Sequence, residues 1–372
     1  MEINVITALP NYPRMEIMNG YENRKNRYEE IDGIPIHRSW IYVTKSKGIF
    51  SRLLIYFSFV WSSYWKGRKM KKYDYLLVES PPLFLGYSAM ALSKKLNAKL
   101  IFNVSDLWPE SAEKLGIVTN KIALNLAYKL EAKCYKQAFL ITGQTQGIVD
   151  DICTRFPDKK VYWLPNGVDV SFYNPCQIQP GNFRERNGFS KEEILFFYGG
   201  IIGHAQGLEV ILNAANLLRD SSSIQFVIQG SGPEKETLIA LKQTLNLTNV
   251  HFLEPVSKIE MPAILKSIDV ALVPLKNLTL FQGAIPSKVF EALAMEIPLL
   301  LGVEGEARNH FIEKGKAGLF FQPENAEELA KQALFLSENL VERLEMGKNA
   351  RRYVAENFDR KKIANDFMRQ LE

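Results

Sequence analysis

A hydroxyl, an ammonium and a carboxylate stand close together in the stretch IPSKVFEALAMEIP (285–298), as Ser287, Lys288 and Glu291. Pro286 and Ser287 read as a helix start, with Ser287 the candidate cap. On that helix Ser287, Lys288 and Glu291 share one face, while Phe290, Leu293 and Ala294 turn toward a core. A cation and a hydroxyl at a helix amino terminus suit a diphosphate. A carboxylate one turn later suits the two hydroxyls of a ribose, because it accepts twice. The competing reading is a surface Lys288–Glu291 pair, worth about 0.2–0.5 kcal/mol and needing no ligand.

Two further junctions have the same strand-to-loop-to-helix form. FYGGIIGHAQG (197–207) precedes the helical pattern LEVILNAANLL, and IQGSGP (228–233) precedes Glu234 and Lys235. Gly199, Gly200, Gly203 and Gly207 allow a backbone to come close to a ligand, and a helix start behind them offers free N–H groups to phosphate. The spacing matches neither GxGxxG nor a Walker loop. Glycines that let a turn pass over a packed helix remain the alternative.

In the first half, Asp106 in DLWPES (106–111) follows a strand, at the edge where α/β folds place chemistry. Capping the helix that opens at Pro109 and Glu110 is its competing role. Residues 51–72 combine Tyr56, Phe57, Phe59, Trp61, Tyr64 and Trp65 with Lys66, Arg68, Lys69, Lys71 and Lys72. That composition fits a helix lying on an anionic membrane, or a core helix with a solvated basic end. The apolar run 53–65 is too short for the ~20 residues of a bilayer span. No basic stripe of a known module points to nucleic acid.

Elements that could position these groups alternate along the chain. Strands are expected at 2–7, 75–80, 99–104, 138–142 and 160–165, then at 194–200, 224–230, 249–255, 270–275 and 298–303, with amphipathic helices between and a last helical stretch over 343–370. This predicts an α/β fold of two Rossmann-like doubly wound domains. We place the first at 1–165, the second at 166–350 and a carboxy-terminal helix at 351–372, packing on either domain. The boundary rests on the Asn166-Gly167 turn signal and the polar segment after it.

With 372 residues, 47% of them hydrophobic, the chain can build two cores. Three cysteines without a CxxC pair argue against a disulfide framework and for a reducing cytoplasm. The four histidines lack metal-ligand spacing and no Asp-x-Asp occurs, so no metal or other cofactor is expected. Charge is uneven: residues 1–165 carry 24 Lys and Arg against 15 Asp and Glu, and the remainder 22 against 26. A basic first half and an acidic second half suit different partners.

The collinear motifs LPNYP (9–13), EIDGIPIHR (30–38), ESPPLFLG (79–86), DLWPESAEKLGI (106–117), LPNGVD (164–169), YGGIIGHAQGLE (198–209), QGSGPE (229–234), IPSKVFEALA (285–294) and MGKNARRYV (346–354) span nearly the whole chain. Through them it resembles the family-4 retaining glycosyltransferases of the two-domain GT-B fold, nearest the O-antigen and capsule branch with the L-fucosamine transferases. The resemblance implies a nucleotide-sugar donor, with uridine as the base, held by the second domain. It also implies an acceptor held by the first domain, with chemistry in the cleft they face. Glu291 would then hold the ribose, with Ser287 and Lys288 near the diphosphate. Gly200, Gly203, Gln206 and Gly207 would bracket phosphates and sugar, and Gly230, Gly232, Glu254 and Val256 would border the base. Asp106, Glu110 and Lys288 are the candidate catalytic groups. The implied partner is a lipid-linked oligosaccharide, and the implied place is the inner face of the cytoplasmic membrane.

The sequence departs from that pattern in three places. Gly283 stands where many such enzymes carry a second glutamate, and Ile201 and Gln206 stand where an Arg and a Lys often hold the diphosphate. A further strand, Gly-rich loop and helix are also expected ahead of the segment at 2–10. Two other classes share the architecture or the departures: a sugar-nucleotide 2-epimerase, and a non-catalytic nucleotide-binding subunit of a polysaccharide assembly complex.

Overall fold

The structure is a computed structural model that describes residues 2–11, 15–22, 27–46 and 48–372. Tyr12 and Pro13 of the LPNYP motif lie outside the described residues. The chain divides into two units, Met1–Trp163 and Leu164–Glu372.

Among its described residues the first unit holds two sheets. In the larger, β4 (Tyr75–Ser80), β5 (Lys99–Val104), β6 (Leu140–Gly143) and β7 (Val161–Trp163) run parallel in sequence order. Their apolar side chains join Leu83, Met90, Leu130 and Tyr135 in one core, as expected of strands covered on both faces. The smaller sheet pairs β1 (Val5–Ala8) parallel to β3 (Ile34–Ser39), and β3 antiparallel to β2 (Tyr28–Ile31). Neither β2 nor β3 was among the expected strands, because YEEI and IPIHRS lack a continuous apolar run. The signal was Asp32-Gly33, whose φ angles of 53° and 77° make the two-residue turn that closes the hairpin.

The second unit is one six-stranded parallel sheet in the order β10-β9-β8-β11-β12-β13. Its strands are β8 (Ile194–Gly199), β9 (Ile224–Gln229), β10 (Val250–Leu253), β11 (Val270–Pro274), β12 (Leu299–Gly302) and β13 (Gly318–Phe320). Five lie where expected, and β13 is a three-residue edge strand too short to show periodicity. In chain order this is a 3-2-1-4-5-6 sheet, so the strand order reverses between β8 and β11. Phe196, Tyr198, Phe226, Ile228 and Leu272 fill its core.

The last helical stretch is two helices, Leu340–Asn357 and Arg360–Arg369, broken at Phe358 and Asp359. The break is tied to the start of the unit, where Val168 N donates to Phe358 O at 3.0 Å and Arg360 N donates to Val168 O at 3.0 Å. A Cβ at position 167 would lie 2.3 Å from Phe358 O, so glycine follows Asn166 because two backbones touch there.

Candidate functional site

The strand order reverses between β8 and β11, and at such a reversal open α/β sheets bind ligands outside the carboxyl edge. Tyr198 is buried near the end of β8. Its hydroxyl donates to Ile201 O at 2.6 Å and pins the glycine loop. Over its ring stands the Lys288 ammonium, 3.6 Å from the centroid. Lys288 is partly exposed as a residue, yet burial pushes its ammonium pKa down to about 7. Lys276, after β11, donates its N–H to Ala205 O of that loop at 3.0 Å, and its Nζ lies 3.0 Å from Nε2 of His204. Gly203, Gln206 and Gly207 belong to this loop, ahead of the helix Glu209–Leu217.

Gly230 and Gly232 meet protein at close range. Gly200 N donates to Gln229 O at 2.9 Å and Ile202 N to Ser231 O at 2.9 Å, so the two glycine loops run side by side. A Cβ at 230 would sit 1.8 Å from Gly200 O, at a φ of 151°. Packing alone accounts for glycine there.

The helix Lys288–Ala294 begins where the sequence placed it, with Ser287 at the cap position, but the serine side chain makes no capping hydrogen bond. Val289, Phe290, Ala292, Leu293 and Ala294 are buried. Ser287 and Glu291 line a cavity of about 430 Å³, while Lys288 turns away to Gly200 and the Tyr198 ring, so the three do not share one surface. Lys288 and Glu291 form no ion pair; Glu291 Oε1 lies 3.9 Å from Lys258 Nζ instead. Such a half-exposed pair contributes little to stability.

The same cavity gathers residues from three distant segments: Asn166, Asp169 and Tyr173; Lys258 and Ile259; and Arg360. Sequence reading assigned none of them to a site. The segment 169–173 is a turn, with the Asp169 carboxylate accepting from Ser171 N at 2.9 Å and Phe172 N at 3.1 Å. Those N–H groups, the Phe172 one foremost, hold Asp169 below the usual carboxylate range. Arg351 fastens the turn to the helix of Glu291, donating to Val170 O at 2.8 Å, Tyr173 O at 2.6 Å and Ala294 O at 2.7 Å.

Glu254 and Val256 line a second cavity of about 420 Å³ with Gln229, Arg186 and Glu260. Gln229 Nε2 donates to Glu254 O at 3.0 Å, and the Glu254 carboxylate faces outward to Lys235 at 2.7 Å. Asp106 and Glu110 belong to the first unit. There Asp106 Oδ2 accepts from the Ser111 hydroxyl at 2.7 Å, and Glu110 pairs with Lys114 at 2.5 Å. Among the described residues no three His, Cys, Asp or Glu side chains gather to hold a metal ion.

Residues 181–353 match the family described as glycosyl transferases group 1. The chain is 26% identical over 384 residues to the putative colanic acid biosynthesis glycosyl transferase WcaI of Escherichia coli K12, covering 100% of this chain and 91% of that one. Its fold is similar to that of sucrose-phosphate synthase from Thermosynechococcus elongatus, with a TM-score of 0.73 at 17% identity over 93% of this chain and 85% of that one. It is similar as well to Anabaena Alr3699/HepE in complex with UDP and glucose, with a TM-score of 0.70 at 16% identity over 91% of this chain and 86% of that one. These likenesses place the chain in the GT-B fold.

Proposed function

With the match of residues 181–353 to the glycosyl transferases group 1 family as the premise, we propose that the chain moves a sugar from a nucleoside diphosphate, UDP by preference, onto a lipid-linked glycan of a bacterial surface polysaccharide. The observation that carries this reading is the Glu291 cavity on a helix whose Lys288 ammonium stands against Gly200 and the Tyr198 ring at the β8–β11 reversal. Glu291 takes the ribose hydroxyls, and the diphosphate reaches Lys288 and the N–H groups of the Gly200–Gly207 loop. The WcaI likeness supports the polysaccharide setting, and the UDP complex of HepE supports the donor.

Anomeric configuration is retained in this reading. The leaving diphosphate, its charge stabilised by Lys288 and backbone donors, takes the proton of the incoming hydroxyl, so no protein base is obligatory. No metal takes part.

The acceptor side is the first unit, with Asp106 and Glu110 as its candidate polar groups. Its helix Ile49–Gly67 has no acidic residue and leaves Phe50, Leu54, Phe57, Trp61 and Trp65 exposed at helical spacing. Arg68 stacks 4.2 Å over the Trp65 ring beside Lys66, Lys69, Lys71 and Lys72. An apolar stripe flanked by cations supports peripheral contact with an anionic membrane. No helix among the described residues is long and apolar enough to cross one.

A thermal-shift panel of UDP, GDP, dTDP and their sugars tests the donor. A ligand at 100 times its Kd adds ~2.7 kcal/mol of stability. Stabilisation by GDP alone overturns the uridine assignment, and no stabilisation by any nucleotide overturns the reading.

A further inference from the structure

Tyr173 is 2% exposed, yet its hydroxyl has no hydrogen-bond partner. A buried polar group left in that condition costs about 1–3 kcal/mol, so its retention calls for a reason. A phenylalanine would fill the same space without the cost.

The surroundings point to Glu291. Tyr173 and Glu291 line one cavity. Burial raises the tyrosine pKa, and the Glu291 carboxylate raises it further by its charge and its acceptor oxygens. Neither backbone can drift from the other. Arg351 grips Tyr173 O and Ala294 O at once, and Ala294 ends the helix that carries Glu291. The other neighbour of Glu291 is Lys258, at 3.9 Å on a side chain that is 61% exposed, a loose contact.

We infer that Tyr173 is a positioning residue for the donor: its hydroxyl donates to the Glu291 carboxylate and fixes it to accept from both ribose hydroxyls. The inference rests on the reading that this cavity takes the donor ribose. A carboxylate has about four acceptor positions, so one bond from tyrosine leaves room for two from a ribose. Held from behind, the carboxylate does not spend rotamer freedom when the nucleotide arrives. The arrangement also makes the site read sugar chemistry. A 2′-deoxyribose leaves one acceptor position of a fixed, half-buried carboxylate unanswered, whereas a loose carboxylate can turn toward water.

The test is calorimetric binding of UDP, GDP and their 2′-deoxy counterparts to wild type, Tyr173→Phe, Glu291→Gln and the double variant. Tyr173→Phe keeps the ring and removes only the hydroxyl, so it melts close to the wild-type temperature. It binds the ribonucleotide about 3- to 10-fold more weakly, the worth of one hydrogen bond. Its preference for ribose over deoxyribose shrinks, and in the Glu291→Gln background the substitution adds no further loss. Wild-type affinity and wild-type sugar preference in Tyr173→Phe overturn the proposal, as does an equal loss in both backgrounds. Equal affinity of the wild type for ribo and deoxy forms also overturns it without need of a variant. A wild type that binds no nucleotide overturns the donor-site reading itself, and the proposal with it.

Discussion

The Lys288 ammonium rests 3.6 Å from the centre of the Tyr198 ring, enclosed enough that its pKa lies near 7. An unfolded lysine holds its proton to about pH 10.4. Between those values the unfolded chain binds the extra proton, so this residue makes stability rise with pH from about 7 to about 10. Below pH 7 the cost of burying the charge is fully present.

Nucleotide binding should run the opposite way. A diphosphate beside Lys288 favours its charged form, so binding takes up a proton once the pH exceeds 7. We expect the Kd for UDP to rise roughly tenfold between pH 7 and 8.5. Lys288→Arg, charged throughout, should give a flat calorimetric profile. Parallel profiles for the two proteins would remove Lys288 from the phosphate site.

Glu291→Ala should weaken nucleotide binding at least about tenfold with the melting temperature little changed, because two charge-assisted hydrogen bonds are lost. Glu291 pairs only loosely with Lys258, at 3.9 Å, so the folded state has little to lose. Unchanged affinity in titration calorimetry would exclude the residue from the site.

Arg351 donates to three carbonyls, at Val170, Tyr173 and Ala294. Arg351→Ala should cost about 2–4 kcal/mol, seen as a lower urea midpoint. It should also weaken nucleotide binding, since the turn that carries Tyr173 is released from the helix of Glu291. A lower midpoint with intact affinity would show that the clamp serves stability alone.

Five cations at 66–72 beside exposed Trp61 and Trp65 predict sedimentation with anionic vesicles and poor binding to neutral ones. Each charge near such a surface contributes ~1 kcal/mol, and the attraction decays within a Debye length, so high salt should release part of the protein. Replacing Lys66, Arg68, Lys69, Lys71 and Lys72 with Gln should abolish most binding and leave UDP affinity alone. A variant that still sediments like wild type would mark the run as a solvated helix end.

Transfer that relies on side-chain cations predicts full activity in excess EDTA and no stimulation by added Mg²⁺ or Mn²⁺. An EDTA-sensitive activity restored by a divalent ion would require a metal in the mechanism.

The sequence by itself determined what depends on near neighbours. Continuous apolar runs mark the strands of both parallel sheets except the short edge strand β13, because a strand covered on both faces is apolar nearly throughout. The helix start at Ser287 and the turn separating it from Glu291 are legible for the same reason, since helical spacing is fixed by local geometry. The Asp32-Gly33 hairpin carries a turn signal of its own, but the polar strand before it hides the pattern. Only tertiary structure decided the rest. Lys288 and Glu291 part company because Lys288 finds a ring on β8 while Glu291 faces the 169–173 turn, and helical offset alone does not register either neighbour. Tyr173, Lys258 and Arg360 meet at one cavity from segments far apart in the chain. No spacing rule reaches across such separations. Their meeting is set by how a six-stranded sheet reverses its order and by where one arginine fastens a turn to a helix.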